Sequence, residues 1–300
     1  MRTLILGCGY LGTALGAALA KRGHPVWGLR RSSEHDDTLY ALGIQPVKAD
    51  LTQPGWASSF SHPIDWAVYC AAPRPSEPEA HRRIYDLGVR QAISELLRLG
   101  VRTVVYTGST GVYDARQECW VTEETPIQAS DEKARLLASA EEQWLEFGRT
   151  SGASVVILRI SGMYGAGRGY WLRRFFEGPD LLDQERHRWI NQVHRDDVVG
   201  ALMVALERSP KGRIYNVTDD EPTTPASLFA WLEERLGRPP ANRTGVLPRA
   251  NRGTGLKRVS NTRLKTELGW TLQYPTYREG YRAELRRMGL WPLTPESSAG

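Results

Sequence analysis

Short apolar runs alternate with longer amphipathic stretches through the first half of the chain. Between the runs, apolar residues recur three or four positions apart, which is the spacing of one helix face. Strands buried in a parallel sheet are apolar throughout because helices cover both faces of the sheet. The predicted strands are Thr3–Leu6, Pro25–Leu29, Ile44–Ala49, Ile64–Cys70, Val101–Tyr106 and Val155–Ile160, and the predicted helices are Leu11–Lys21, Thr38–Leu42, Glu79–Leu99 and Asp131–Phe147.

This alternation predicts an α/β fold, a doubly wound parallel sheet (Rossmann fold) with a smaller C-terminal substrate lobe. We expect residues 1–164 to form a dinucleotide-binding domain that a returning strand near 213–217 joins, and residues 165–300 to form the lobe. Beyond residue 164 the pattern loosens, although helices are predicted at Asp197–Glu207 and Ser227–Leu236. Ser130 and Asp197 are the expected N-caps of the helices that they precede or begin.

Cysteine usage and hydrophobicity restrict the location of the protein. The three cysteines Cys8, Cys70 and Cys119 lack the spacing of a metal site or a disulfide framework, so we expect no metal and a reducing, cytoplasmic location. The uncharged stretch from Thr3 to Ala20 imitates a signal peptide, but four glycines interrupt it. About 20 apolar residues are needed to span a bilayer, so no membrane association is expected.

The formal net charge of +5 is distributed unevenly. From Arg238 to Gly300 the chain has 12 basic and 4 acidic residues. Such a region can attract an anionic ligand or nucleic acid, although a solvated surface is the simpler explanation of the charge. The bases are scattered and no nucleic-acid recognition motif accompanies them, so we expect a small-molecule substrate and no nucleic acid. The oligomeric state, monomer or homodimer, stays open.

A glycine-rich loop separates the first predicted strand from the first predicted helix. In such loops the first glycine permits a tight turn, the second lets a pyrophosphate approach, and the third allows close helix–strand packing. The exposed amides at the start of the helix also favour an anion. The loop therefore predicts a bound dinucleotide in contact with Gly7, Gly9, Tyr10, Leu11 and Gly12.

The ends of the next three predicted strands indicate which dinucleotide binds. Arg30 and Arg31 follow the second strand, and the first acidic residue after them is Glu34. Guanidinium groups match a 2′-phosphate, whereas an acid would hold a ribose 2′-hydroxyl, so NADP(H) is preferred and NAD(H) remains possible. The alternative to phosphate binding is that both arginines are solvated surface residues. We also expect cofactor contacts from Asp50 and Leu51, with Asp50 meeting the adenine amino group, and from Ala71 and Ala72, which leave room for the cofactor to cross.

Together with the glycine loop, several motifs give the chain a family resemblance. It resembles the extended short-chain dehydrogenase/reductases, the NAD-dependent epimerase/dehydratase family, over nearly its whole length. The matching segments are Ala49-Asp50-Leu51, Tyr69-Cys70-Ala71-Ala72, Tyr106 to Tyr113, Leu158-Arg159-Ile160, Tyr164-Gly165, Val193 to Asp197 and Tyr215-Asn216-Val217.

The resemblance implies a catalytic hydroxyl at Ser109. In the family this group lies four residues before the tyrosine of a Val-Tyr pair, here Tyr113, and hydrogen-bonds the reacting oxygen. A serine after a strand is also common in ordinary loops.

The family's Tyr-x-x-x-Lys pair is missing. In the family the tyrosine is the general acid/base, and the lysine lowers its pKa and holds the nicotinamide ribose. None of the twelve tyrosines has a lysine four residues later. Counting forward from Pro126 and back from Glu141 both place the family's tyrosine at Lys133 and its lysine at Leu137.

This departure is similar to atypical members called nucleoside-diphosphate-sugar epimerase-like. Lys133 is a candidate general acid/base, although a lysine on the helix surface is the simpler explanation of this residue. Tyr113 and His194 are weaker candidates. We expect an NADP(H)-binding oxidoreductase or epimerase-like protein with an atypical site and an unknown anionic, nucleotide-sugar-like substrate. The alternative is a non-catalytic NADP(H)-binding redox sensor or regulatory protein. Arginines that could serve a diphosphate are Arg168, Arg173, Arg174, Arg249, Arg252 and Arg258.

Overall fold

A seven-stranded parallel sheet forms the centre of the computed structural model, which describes residues 1–73, 79–113, 118–129, 131–177, 188–238 and 256–291. The strand order is β10-β7-β5-β4-β1-β2-β3, and every pairing in this sheet is parallel. The strands are β1 (Thr3–Leu6), β2 (Val26–Arg30), β3 (Ile44–Lys48), β4 (Trp66–Tyr69), β5 (Thr103–Ser109), β6 (Cys119–Val121), β7 (Ser154–Ile160), β8 (Gly162–Tyr164), β9 (Gln192–His194), β10 (Arg213–Val217) and β11 (Lys257–Val259).

The direction of winding reverses between β1 and β4. From β1 the chain adds β2 and β3 on one side, then crosses to place β4 on the other side of β1. In open parallel sheets, ligands bind in the crevice at the carboxyl ends of such strands. The predicted doubly wound fold is confirmed, and so is the returning strand, because β10 pairs with β7 from Arg213 to Val217.

Helices cover both faces of the sheet. Apolar residues of α1 and α7 pack on one face, and those of α4 and α5 pack on the other. The whole of β7 is buried, as its largely apolar sequence predicts. The helices are α1 (Tyr10–Lys21), α2 (Asp36–Ala41), α3 (Ala80–Arg82), which continues through a π-helical turn (Arg83–Leu87) into α4 (Gly88–Leu99), α5 (Glu132–Ser151), α6 (Tyr170–Glu177), α7 (Arg195–Arg208), α8 (Pro225–Leu236), α9 (Thr262–Leu268) and α10 (Tyr277–Arg287).

Two predicted helix starts need correction. Asp197 does not cap α7, because the helix already begins at Arg195 and His194 is the capping residue, its Nδ1 accepting the Asp196 N–H at 3.2 Å. The Asp197 carboxylate instead accepts backbone N–H groups from the segment that precedes α10. Asp131 caps α5 by accepting the Ala134 N–H at 2.7 Å, and Ser130 lies outside the described residues.

A separate apolar cluster lies away from the sheet. It joins α6, α8 and α10 through aromatic residues, with Tyr164 at the end of β8 stacked on Tyr281 at 4.4 Å. Helix α7 falls within residues 165–300 but packs on the sheet rather than in this cluster. None of the helices in the described ranges is both long enough and apolar enough to cross a membrane.

Candidate active site

The glycine loop makes a tight turn between β1 and α1. Gly7 has φ +94°, a backbone conformation that favours glycine, and a Cβ there would lie 2.5 Å from the backbone of Ala71 after β4. The N–H groups of Gly7 and Cys8 both donate to the Leu29 carbonyl, at 3.3 and 2.9 Å. The turn is therefore fixed between the ends of β2 and β4.

The other two glycines of the loop differ in their surroundings. A Cβ at Gly9 would have nothing within 4 Å, whereas a Cβ at Gly12 would lie 2.7 Å from the Gly7 carbonyl oxygen and 2.9 Å from Ile5. Gly9 is exposed, and its position before α1 supplies no capping side chain to the first helical amides. This open, positively polarised helix start fits a pyrophosphate, which is the group that the sequence predicts there.

Charged residues surround the carboxyl ends of β2 and β3. Arg30 ends β2 half-buried, and Arg31 follows it on the exposed side. Partial burial by itself raises the pKa of Asp50, but two hydrogen bonds from Thr52 and the charge of Arg83 outweigh it and hold the pKa below its usual value. Asp50 is therefore a carboxylate at neutral pH. Leu51 is buried, Ala71 is half-buried and Ala72 is exposed at the end of β4.

Tyr10 connects the glycine loop to elements that lie outside it. The Arg168 and Arg195 guanidinium carbons lie 5.3 and 5.0 Å from the centre of its ring. These are cation–π distances. Burial raises the pKa of Tyr10, so its hydroxyl stays protonated. The contacts bring the Gly165–Arg168 turn and the start of α7 against the loop predicted to bind the cofactor.

A cavity of about 1400 Å³ lies at the carboxyl ends of β5 and β7, between them and α6 and α10. Ser109, at the end of β5, and Lys133, in the first turn of α5, both line it. The described lining also includes Thr110, Ile160, Met163, Arg168, Tyr170, Trp171, Arg173, Phe176, Glu177, Arg188, Trp189, Asn191, Lys257, Glu284, Arg287 and Met288.

Ser109 is half-buried at the cavity wall. Its Oγ accepts the Gly111 N–H at 3.0 Å, which uses one acceptor lone pair and leaves the hydroxyl proton for donation. The short helical turn that follows, Thr110–Val112, fixes the direction of the Ser109 side chain. A hydroxyl held in this way can donate a hydrogen bond to a reacting oxygen.

Lys133 and Leu137 lie one turn apart on α5 and have opposite environments. Lys133 is exposed at the cavity, and Leu137 is 1% exposed in an apolar cluster with Val112 and Tyr113. A Cβ at Gly111 would lie 3.6 Å from Leu137. The position predicted for the family's lysine is therefore an apolar residue beneath the Ser109 turn.

Tyr113 is buried and its hydroxyl is fully engaged. It accepts from Arg159 Nη1 at 2.7 Å and donates to Asn216 Oδ1 at 2.8 Å. Arg159 also forms an ion pair with Glu141 at 2.7 Å. Both hydrogen bonds of the Tyr113 hydroxyl are internal, and burial raises its pKa, although the residue also contributes to the cavity lining.

His194 belongs to a different buried cluster and is not among the residues that line the cavity. Its Nε2 lies 3.3 Å from Glu284 Oε1, and its ring contacts Tyr164 and Tyr274. Burial lowers the pKa of His194.

The arginines suggested for a diphosphate divide into three groups. Arg168 and Arg173 line the cavity. Arg174 is buried against Tyr170 and Trp171, and Arg258 lies between Trp120 and Trp189 at 5.1 and 5.0 Å. Arg249 and Arg252 fall outside the described residues.

The structure also reveals site residues that the sequence did not indicate. The cavity lining includes Lys257, Arg188 and Arg287, all of which lie far from Ser109 along the chain. The Arg159–Glu141 pair had a signal that could have been used, because Arg159 interrupts an otherwise apolar strand. Within the described ranges, no group of three or more His, Cys, Asp or Glu side chains is arranged to hold a metal ion.

Comparisons with known proteins give matches along most of the chain. Residues 3–218 match the model of the NAD dependent epimerase/dehydratase family. The chain is 30% identical over 281 residues to Protein YeeZ of Escherichia coli strain K12, covering 91% of this chain and 96% of that protein. It is 27% identical over 250 residues to a 4-hydroxy-2-methyl-3-oxo-4-farnesyl-3,4-dihydroquinoline-1-oxide ketoreductase of Stigmatella aurantiaca, covering 79% and 74% of the two chains. A solved structure from Methylobacillus flagellatus, described as an NAD-dependent epimerase/dehydratase, superposes with a TM-score of 0.75 at 32% identity, covering 96% and 98%.

Proposed function

The chain belongs to the NAD-dependent epimerase/dehydratase family of oxidoreductases, and from this premise we propose that it is an NADP(H)-dependent oxidoreductase or epimerase-like enzyme with an atypical active site. The observation that carries the proposal is the Ser109 hydroxyl, which lies at the wall of a large cavity and keeps its proton for donation. The substrate we propose is a small anionic compound of nucleotide-sugar type.

The cofactor would bind across the carboxyl ends of β1 to β4. When bound, its nicotinamide exchanges a hydride with the substrate. The open position at Gly9 and the start of α1 would hold the pyrophosphate, and Arg30 and Arg31 would hold the 2′-phosphate. Asp50 would accept from the adenine amino group, while Ala71 and Ala72 leave room beside Gly7.

The charge of the cavity supports an anionic substrate. Its described lining has twice as many cationic as acidic side chains, which favours negative ligands. Aromatic rings beside the guanidinium groups suit a planar base next to a diphosphate. The cationic residues are Lys133, Arg168, Arg173, Arg188, Lys257 and Arg287, and the acidic ones are Asp131, Glu177 and Glu284.

Two residues would act on the reacting group. The Ser109 hydroxyl would donate a hydrogen bond to the carbonyl oxygen of the substrate, on which negative charge develops as the hydride arrives. Lys133, at the position of the family's tyrosine, would deliver the proton that this oxygen takes up. Lys133 is exposed at the cavity, whereas the Tyr113 hydroxyl is committed to internal bonds.

Under this proposal, residues 1–164 with β10 hold the cofactor, and the cluster of α6, α8 and α10 within residues 165–300 forms the substrate side. The three thiols of Cys8, Cys70 and Cys119 are free, which supports a reducing, cytoplasmic location.

A turnover assay tests the proposal. NADPH oxidation is followed with a panel of keto nucleotide-sugars and carbonyl acids, and Ser109→Ala is expected to lower kcat about 100-fold with the NADPH affinity unchanged. Ser139→Ala is the matched control, since Ser139 is an exposed serine on α5. Lys133→Met is expected to lower kcat about tenfold and to shift the pH profile. A Ser109→Ala variant with the wild-type kcat would contradict the proposal.

A second candidate function is a non-catalytic NADP(H)-binding redox sensor or regulator. The apolar Leu137, in place of the family's lysine, is the observation that favours it. The two functions differ in one outcome: the sensor binds NADPH tightly but oxidises it with no member of the panel.

A further inference from the structure

We propose that Lys257 is a positioning residue of this site, which holds the turn between Ser109 and Tyr113 in its active geometry. The proposal rests on the proposed function in that it takes Ser109 to be the catalytic hydroxyl. The family's lysine is replaced here by the apolar Leu137, which packs beneath this turn. Lys257 would supply a positive charge next to the same turn from β11.

The contacts of the Lys257 ammonium define the proposed role. Nζ donates to the carbonyl of Thr110 at 2.8 Å and also to the carbonyl of Tyr113. These carbonyls lie at the beginning and just past the end of the helical turn that follows Ser109. One ammonium therefore joins both ends of the turn. Hydrogen bonds from a charged donor are about twice as strong as neutral ones.

The backbone of Lys257 is itself fixed in two directions. Strand β11 pairs in parallel with β6, and Lys257 is in register with Cys119. On its other side, the Asn191 side chain donates to the Lys257 carbonyl at 3.0 Å and accepts the Val259 N–H at 2.7 Å. Because both neighbours hold the strand, the ammonium reaches the turn from a defined position.

The remaining sides of the turn are held by other groups. Leu137 packs beneath it, and the Tyr113 hydroxyl is anchored to Arg159 and Asn216. The Lys257 ammonium also lies 5.8 Å from the centre of the Tyr113 ring. Loss of the ammonium would release the two carbonyls while leaving the packing below intact. We therefore expect a loosened Ser109 turn in an otherwise native fold.

Lys133 and Lys257 thus differ in kind, although both line the cavity. Lys133 is exposed in the first turn of α5, and no hydrogen bond or ion pair of its ammonium is found among the described residues. Lys257 is half-buried and bonded to the backbone. An exposed lysine without such bonds suits proton delivery, and a lysine that is bonded to the backbone suits positioning.

The experiment compares Lys257→Met, Lys257→Arg and Lys265→Met. Lys265→Met is the matched control because Lys265 pairs with Asp220 at 2.5 Å on α9, away from the cavity lining. The first readout is amide hydrogen exchange at Gly111 and Tyr113, whose N–H groups bond to Ser109 Oγ and the Thr110 carbonyl. This readout requires neither a substrate nor turnover. NADPH affinity and, with an active substrate, kcat and KM are measured in parallel.

Lys257→Met is expected to raise exchange at both amides by about tenfold, since each lost hydrogen bond is worth roughly that factor in an equilibrium constant. It should also lower kcat about tenfold while KM and the NADPH affinity stay within about twofold. Lys257→Arg should restore most of both values, because a guanidinium also donates to two carbonyls. Lys265→Met should change neither.

If the two amides of Lys257→Met exchange at the wild-type rate, the proposal is overturned, whatever the turnover of the variant. Faster exchange without any turnover by the wild type would support the positioning of the turn and contradict the proposed function instead. Faster exchange with an unchanged kcat would overturn the link to catalysis. Should Lys257→Met fail to fold, Lys257→Gln takes its place, and wild-type exchange in that variant would equally overturn the proposal.

Discussion

The Arg159–Glu141 ion pair illustrates how single side chains define the site. Each side chain is only 3% exposed, and the pair joins β7 to α5 directly behind Tyr113. A buried pair costs much desolvation, so its contribution to net stability is modest, but removing one partner leaves an uncompensated charge. The pair therefore fixes where Tyr113 and the adjoining Ser109 turn lie.

Glu141→Gln is expected to lower the free energy of unfolding by about 3 kcal/mol, because the Arg159 guanidinium loses its buried counter-charge. Urea denaturation measures this difference. Glu142→Gln is the control, since the neighbouring Glu142 is exposed on the same helix and should lie within about 0.5 kcal/mol of wild type. Equal stability of the two variants would contradict the structural role of the pair.

The sequence predicts some of these residues and misses others for a physical reason. Ser109 and Lys133 follow from motifs and counts along one segment, so their positions at the cavity could be anticipated. Lys257 meets Thr110 from 147 positions away along the chain. Such a contact depends on how β11 pairs with β6, which no local pattern encodes.

The unit of β1, the glycine loop and α1 is the element from which the cofactor prediction arises. The three glycines of this unit have distinct surroundings: Gly7 fits against Ala71, Gly9 faces open space and Gly12 packs on the loop carbonyl. A substitution at Gly9 should therefore affect ligand binding, and one at Gly12 should affect folding.

Gly9→Ala and Gly12→Ala form a matched pair of variants. Gly9→Ala should keep its stability within about 1 kcal/mol, because its Cβ meets nothing within 4 Å, but should weaken NADPH binding at least about tenfold. Gly12→Ala should lose about 1–3 kcal/mol despite its better helix propensity, since its Cβ would overlap the Gly7 carbonyl. Thermal unfolding and an NADPH titration measure both. Stability loss at Gly9 with none at Gly12 would contradict these roles.

Long elements could be predicted and short ones could not. The predicted sheet strands begin and end within a few residues of the observed bounds. Most of them are buried apolar runs, whereas the edge strand β3 is only partly buried. The three-residue strands β6, β8, β9 and β11 lack such a run and depend on tertiary pairing. Helix caps depend on the last extended residue, which is why Asp197 was a wrong prediction and His194 is the observed cap.

Across the molecule, the glycine loop and the cavity are neighbouring regions at the carboxyl ends of the parallel strands. The switch point at β1 and β4 holds the glycine loop, and the cavity begins at the ends of β5 and β7. Tyr10, between Arg168 and Arg195, lies where these two regions meet. The fold class could be predicted from strand–helix alternation, whereas the lining of the cavity could not, because it combines residues from distant segments.

Titration of the wild-type protein with NADPH, and separately with NADH, tests whether this site binds NADP(H). Quenching of the ten tryptophans reports binding. We predict tight NADPH binding and NADH binding at least about tenfold weaker, the difference arising from guanidinium contacts of Arg30 and Arg31 with the 2′-phosphate. Equal or tighter binding of NADH would contradict the role of these arginines, and binding of neither cofactor would contradict a dinucleotide site at the glycine loop.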